Sequence, residues 1–207
     1  MSGMEHDRES FVTLCGWLAI LGCVAMTVGV VAGDLMVPGN DWVSDTISAM
    51  AAGNPLKWVV DAGIIAYAAG IGFAGLGAAT LHPGGWRWSL GSAGLVVIAV
   101  TVFLIGFRDE YGDGDAERSE THHQAFVYLL GAAFAVTPWA MSDKAADYGR
   151  RYRTALLAAS ALWVVLAPAF LLSPDWIDGA LERALMAVTF IGVIALGVLM
   201  IRNARFA

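Results

Sequence analysis

The sequence predicts an all-α polytopic membrane protein, a bundle of six transmembrane helices with both termini cytoplasmic. The chain of 207 residues is 58% hydrophobic and 14% charged, whereas charged residues make up about a quarter of ordinary soluble domains. Its apolar residues fall into six runs, each long enough to cross the roughly 30 Å of hydrocarbon in a bilayer. Because a spanning segment must satisfy its own backbone hydrogen bonds, these runs are predicted to be helices.

The six helices are predicted to form one domain, because no linker or low-complexity tract divides the chain. They are expected over residues 11–32, 58–81, 88–107, 123–141, 154–172 and 181–201. The glycines of Gly70-Ile-Gly-Phe-Ala-Gly75 lie inside the second helix, and we interpret them as helix-packing residues rather than a nucleotide site. Cys15 and Cys23 lie on one helix, too far apart to bond, and are expected to be buried apolar residues.

The orientation follows from the Lys and Arg residues between the helices. Eight lie in the termini and in the second and fourth connections. The other connections hold the remaining four, Lys57, Arg108, Arg118 and Arg183. Because cytoplasmic segments carry the excess of Lys and Arg, both termini are predicted to be cytoplasmic. The opposite, extracytoplasmic face is predicted to be negative, since most acidic residues fall there.

The connection after the first helix is predicted to contain a short interfacial helix. Asp41 is the expected N-cap, and Val43, Ile47 and Met50 share an apolar face at helical spacing. Asp45 and Ser48 lie together on the other face. That polar face can point either to solvent or into the bundle, and the pattern leaves both orientations open.

Two segments resemble the DUF998 family of bacterial and archaeal membrane proteins. One is Val43-Ser-Asp-Thr-Ile-Ser48, followed by Gly-Asn-Pro. The other runs from Gly106-Phe-Arg-Asp109 through an acidic loop to Ser119-Glu-Thr-His-His-Gln-Ala125, with Arg108 in place of the family's usual proline. The resemblance implies a six-helix fold with an outer polar cluster in the plasma membrane of a prokaryote, and no reaction. A more distant resemblance to Frag1/DRAM/Sfk1-type multi-pass proteins suggests lipid handling.

An extracytoplasmic polar pocket is predicted where the first and third loops meet. Its candidate ligand-binding residues are Asp45, Ser48, Asp61, Arg108, Asp109, His122 and His123. Asp61 lies about one turn inside the second helix, and an ionisable group at such a depth is expected to be paired and is often functional. His122 and His123 open the fourth helix about 100° apart. One of them is therefore expected to face the bundle, and which one stays open.

The acidic stretch 109–120 fits most of a calcium-loop template. The residues at ligand positions are Asp109, Asp113, Asp115, Glu117 and Glu120. Tyr111 stands where Asp or Asn is usual, and the flanking helices are membrane spans rather than an EF-hand pair. We therefore favour a solvated acidic loop, with Ca²⁺ binding as the alternative. Zn²⁺ is a second alternative, because two histidines with Asp45 or Asp109 could supply three ligands.

These residues favour a protein that binds a lipid or small amphiphile or serves as a membrane scaffold, in preference to an enzyme. The alternative is an intramembrane hydrolase acting on a lipid-like substrate, with His123 as base or metal ligand and Ser48 and Asp45 as the other catalytic candidates. No cofactor is expected beyond the Ca²⁺ and Zn²⁺ alternatives. The expected partners are membrane lipids and either a second copy of the chain or a membrane partner protein. Nucleic acid is excluded, since the chain has no basic face.

Overall fold

The computed structural model describes residues 2–51, 55–107 and 116–206, with side chains for residues 6–51, 55–106 and 124–206. Its helices are α1 (Ser2–Met36), α2 (Ile47–Met50), α3 (Lys57–Leu81), α4 (Trp86–Phe107), α5 (Ala116–Ala145), α6 (Arg150–Leu171) and α7 (Asp178–Asn203). Single 3₁₀ turns follow α5, precede α7 and follow α7. The described residues contain no β-strand.

Six of these helices, all except α2, are long and apolar enough to cross a membrane. The predicted fold class, an all-helical membrane protein, is therefore confirmed. The helices extend beyond the predicted apolar runs because helical hydrogen bonding continues into the polar residues at the bilayer surface. The largest extension is that of α1, which begins at Ser2 rather than at Phe11.

The six long helices form a closed ring in chain order. Each packs against the next, and α1 packs against α7 to close the ring. Across the middle, α3 also contacts α7. This contact divides the interior of the ring. A cavity described below lies mainly on the side built by α4, α5 and α6, with Met26 of α1 also in its wall.

Glycines bring α1 and α3 together backbone to backbone. A Cβ on Gly70 would lie 3.1 Å from the Cα of Gly22, and one on Gly29 would lie 3.0 Å from the Cα of Gly63. Small residues allow this approach, which is how membrane helices gain van der Waals contact. The interpretation of the Gly70–Gly75 pattern as helix packing is confirmed. Both cysteines are free and buried, as expected.

The bundle has two ends. The α2 end holds α2, residues 172–177 and the start of α7, whereas the opposite end holds both termini. Cations concentrate at the opposite end, where Arg87 lies over the ring of Trp139 with its guanidinium carbon 4.2 Å from the centroid. Assignment of the α2 end to the extracytoplasmic side stays a prediction.

Candidate functional site

The short helix α2 is capped differently from the prediction. Its N-cap is Thr46, whose hydroxyl accepts a hydrogen bond from the Ala49 N–H at 3.1 Å. The predicted N-cap, Asp41, instead stabilises the preceding turn, because its carboxylate accepts from the Val43 N–H at 3.0 Å. The predicted apolar face is confirmed for Ile47 and Met50, which are 3% and 2% exposed. Its third member, Val43, is half-buried in the turn before α2.

Glu182, in the second turn of α7, binds the start of α2. One carboxylate oxygen accepts from the Ile47 N–H at 2.5 Å. The other accepts from the Ser48 hydroxyl at 3.3 Å. The first N–H groups of a helix have no partner within it, so the carboxylate satisfies α2 and orients the Ser48 side chain toward α7.

Arg183, the next residue, binds the segments that flank α2. Its guanidinium pairs with Asp34 at the end of α1, where Nε donates to Oδ2 at 3.2 Å and Nη2 donates to Oδ1. Nη1 donates to the carbonyl oxygens of Asp45 at 2.8 Å and Gly179 at 2.9 Å. The Arg183 and Asp34 side chains are only 13% and 21% exposed. We refer to Asp34, Glu182 and Arg183 as the α2 clasp.

The backbone before α2 lies directly on the start of α7. The Ala180 N–H donates to the Val43 carbonyl at 2.9 Å. A Cβ on Gly179 would come within 2.3 Å of the Asp45 carbonyl oxygen, so this position requires glycine. The close approach and the α2 clasp together fix α2 over the interior of the bundle.

Beneath α2 lies a cavity of about 450 Å³. Most of its wall consists of aliphatic and aromatic side chains, with Ile64 and Phe134 as examples. Its polar groups lie at two levels. Ser48 and Glu182 border it at the α2 end, and Tyr67 and Thr189 border it deeper in the bundle. The cavity is therefore an apolar space with a carboxylate at one end.

The two deeper hydroxyl groups satisfy each other. The Thr189 hydroxyl donates to the Met186 carbonyl at 2.7 Å. A hydroxyl has one proton to donate, so Thr189 accepts from the Tyr67 hydroxyl, 2.6 Å away. Tyr67 also packs edge-on against Phe190, with ring centroids 5.2 Å apart. This level of the cavity is thus held by internal contacts.

One side of the cavity reaches the surface of the bundle. Five lining residues are exposed, and all five belong to α5 or α6: Tyr128, Ala132, Val164, Pro168 and Leu171. On the side away from α2, the two helices are joined by hydrogen bonds from Trp163 to the Gly131 carbonyl at 2.9 Å and from Ser160 to the Ala135 carbonyl at 2.5 Å. In a membrane, the exposed stretch between α5 and α6 would face lipid.

Three of the predicted pocket residues have described side chains. Ser48 lines the cavity. Asp45 lies in the loop before α2, where its carboxylate accepts from the Asp41 N–H at 2.8 Å. Asp61 is half-buried in the second turn of α3, and neither acid is among the described residues that line the cavity.

The remaining candidates lie outside the described residues. These are Arg108, Asp109, Asp113 and Asp115, together with the side chains of Glu117, Glu120, His122 and His123. The calcium loop and the histidine site therefore stay predictions. In the part of the chain with described side chains, no three His, Cys, Asp or Glu residues are grouped to hold a metal ion.

Glu182 and Arg183 were not among the predicted site residues. From the sequence, Arg183 was counted only among the Lys and Arg residues that predict the orientation of the helices. The sequence does contain a signal for these two residues. They are adjacent charges in the first two turns of an apolar helix, and ionisable groups in such a position need partners. The identity of those partners is a tertiary property.

A family model matches most of the chain. The model of the family described as "Protein of unknown function (DUF998)" matches residues 20–199. The chain belongs to the DUF998 family. The matched region of this DUF998 protein includes α2, the α2 clasp and every residue named above as lining the cavity. No curated protein and no solved structure matches the chain.

Proposed function

We propose that this DUF998 protein binds a lipid or small amphiphile in the cavity beneath α2, on the extracytoplasmic side of the membrane. The observation that carries the proposal is the distribution of polarity in the cavity, whose apolar wall ends at Ser48 and Glu182. An amphiphile has the same distribution of polar and apolar groups. The volume of about 450 Å³ also falls within the range of roughly 300–1,000 Å³ typical of ligand pockets.

The position of the cavity supports the same proposal. It lies within the spanning helices, and its exposed wall between α5 and α6 would face hydrocarbon. A ligand with an apolar tail would thus move between two apolar surroundings without crossing water. Binding is proposed rather than hydrolysis because Glu182, the only Asp, Glu, Lys, Arg or His among the described residues that line the cavity, accepts from the Ile47 N–H and holds α2 in place.

A pair of variants on α6 tests the proposal. Ala167 lines the cavity, whereas Ala169, two residues away at nearly the same depth, is exposed and does not line it. Phenylalanine adds six carbon atoms to either position. At about 30 Å³ per group, close to the volume of a water molecule, Ala167→Phe would remove roughly two fifths of the cavity of about 450 Å³. Ala169→Phe would place the same ring in lipid.

The measurement is native mass spectrometry of the protein in lipid nanodiscs after incubation with a total lipid extract. Wild type and Ala169→Phe are expected to retain a bound molecule that Ala167→Phe loses. Thermal melting of each variant checks that the bundle is intact. Equal retention by both variants, or no retained molecule on wild type, would contradict the proposal.

A further inference from the structure

We infer that the occupant of this cavity is a single-chain amphiphile with a cationic head group, which enters from the bilayer between α5 and α6. This inference rests on the proposed function and specifies its ligand. Three independent features of the described residues support it: the size of the cavity, the charge at its α2 end, and the position of its exposed wall.

The size of the cavity indicates a ligand with a single alkyl chain. A methylene group occupies about as much space as a water molecule, about 30 Å³, so a cavity of about 450 Å³ accommodates roughly 15 non-hydrogen atoms. Along α7 the lining extends from Glu182 to Thr189, seven residues or about 10 Å at 1.5 Å per residue. These dimensions suit a head group with one alkyl chain, whereas a two-chain phospholipid is too large.

The charge at the α2 end of the bundle indicates that the head group of the ligand is cationic. Among the described residues that line the cavity, Glu182 is the only Asp, Glu, Lys, Arg or His. The described charged residues at this end are the acids Asp34, Asp41, Asp45, Asp61, Asp175, Asp178 and Glu182 and the bases Lys57 and Arg183. Arg183 is already bound to Asp34. With that pair set aside, six acids and Lys57 remain among the described residues at this end. This excess of acids produces a negative potential, which favours a cationic head group and disfavours an anionic one.

The exposed wall indicates the route of entry. Both α2 and the α2 clasp cover the cavity at its polar end, where Ile47 is buried and hydrogen-bonded to Glu182. The exposed lining residues lie instead on α5 and α6, and they include Tyr128, Val164 and Leu171. A chain already dissolved in the bilayer would pass between these side chains and place its head group beside Glu182.

Three probes with the same alkyl chain test the inference: dodecylammonium, dodecanol and laurate, which carry positive, neutral and negative head groups. Binding to the protein in nanodiscs of zwitterionic lipid is measured by native mass spectrometry, with Ala167→Phe as the background. Wild type is expected to bind dodecylammonium at least about tenfold more tightly than laurate, a difference of about 1.4 kcal/mol, with dodecanol between them.

Glu182→Gln tests the source of this preference. The glutamine side chain has the same shape, its carbonyl accepts from the Ile47 N–H, and its amide donates to the Ser48 oxygen, so α2 stays bound while the charge is lost. The variant is expected to bind dodecylammonium about tenfold more weakly and dodecanol almost unchanged. Asp175→Asn, an exposed acid at the same end, is the matched control and is expected to bind like wild type.

The outcomes separate the two proposals. If none of the probes exceeds the Ala167→Phe background, the cavity does not bind amphiphiles and the proposed function itself fails. If dodecanol binds but the three head groups are bound equally, or laurate is preferred, the cationic head group is refuted while amphiphile binding stands. If Glu182→Gln lowers the melting temperature, its binding data are set aside. The order of the wild-type affinities for the three probes then tests the cationic head group by itself. Equal losses in Asp175→Asn and Glu182→Gln would assign the preference to the whole surface rather than to Glu182.

Discussion

Replacement of Arg183 by alanine tests whether the α2 clasp holds the α2 end together. The substitution removes the pair with Asp34 and the hydrogen bonds to the carbonyl oxygens of Asp45 and Gly179. It leaves the Asp34 carboxylate partly buried without its guanidinium partner, while the Asn40 amide still donates to it at 3.0 Å. We therefore expect a loss of folding free energy and a release of α2.

The magnitude follows from the burial of the pair. Breaking a buried ion pair by removal of one partner costs about 3–5 kcal/mol, whereas an exposed pair is worth about 0–1 kcal/mol. Because the Arg183 and Asp34 side chains are 13% and 21% exposed, we expect a cost of about 3 kcal/mol, at the lower limit for a buried pair. At about 2–4 °C per kcal/mol for a chain of this size, the melting temperature should fall by roughly 6–12 °C.

The assay is thermal unfolding in detergent together with hydrogen exchange of the α2 amides. Lys144→Ala is the control, because the Lys144–Asp147 pair is 41% and 58% exposed and its loss should cost less than about 1 kcal/mol. In a double-mutant cycle, Arg183→Ala and Asp34→Asn should be coupled by about 1–3 kcal/mol. Additive effects, or a melting temperature of Arg183→Ala close to that of Lys144→Ala, would refute the assigned role of the clasp.

Two further predictions follow from single contacts, and a third tests the orientation in the membrane. Gly179→Ala should lower the free energy of unfolding by more than about 1 kcal/mol, because its Cβ would lie 2.3 Å from a carbonyl oxygen. Gly72→Ala, whose Cβ would make an ordinary 3.7 Å contact, should be neutral or stabilising by up to about 1 kcal/mol, and a loss equal to that at Gly179 would contradict the packing argument. Tyr67→Phe should cost about 1 kcal/mol in chemical denaturation, since it removes one buried hydrogen bond, and no loss would mean that the bond is absent. A membrane-impermeant maleimide should label Asp175→Cys but not Arg205→Cys on intact cells, because the first lies at the α2 end, predicted to be extracytoplasmic, and the second at the opposite end. Both positions are exposed, and both native cysteines are buried. The reverse labelling pattern would contradict the predicted orientation.

The membrane helices could be predicted because hydropathy and length are local properties of the chain. Each apolar run corresponds to one observed helix, and only the ends differ. The packing role of Gly70 was also accessible, since small residues in a membrane helix indicate close packing, whereas its partner Gly22 on α1 is known only from the structure. The burial of Ile47 and Met50 followed from helical spacing even though the helix that contains them proved to be only four residues long.

The capping of α2 could not be read from the sequence. Asp41 and Thr46 are both good N-cap residues, and local preference does not decide between them. The structure places the residues before Thr46 against α7, where the Asp45 carbonyl binds Arg183 and the Val43 carbonyl binds the Ala180 N–H. Backbone groups used in this way are not available for a helical turn, so α2 begins only at Ile47.

By itself, the sequence determined six membrane helices, the packing role of the glycines in the second of them and the presence of a short helix after α1. Only the tertiary structure decided that this helix is held by Glu182 and Arg183. The partners Asp34 and Arg183 are 149 residues apart, and no local pattern connects them. The cavity is likewise a property of helices that meet in space. Hydropathy records how each segment partitions between water and lipid, whereas the space left between segments depends on which side chains face one another once the ring has closed.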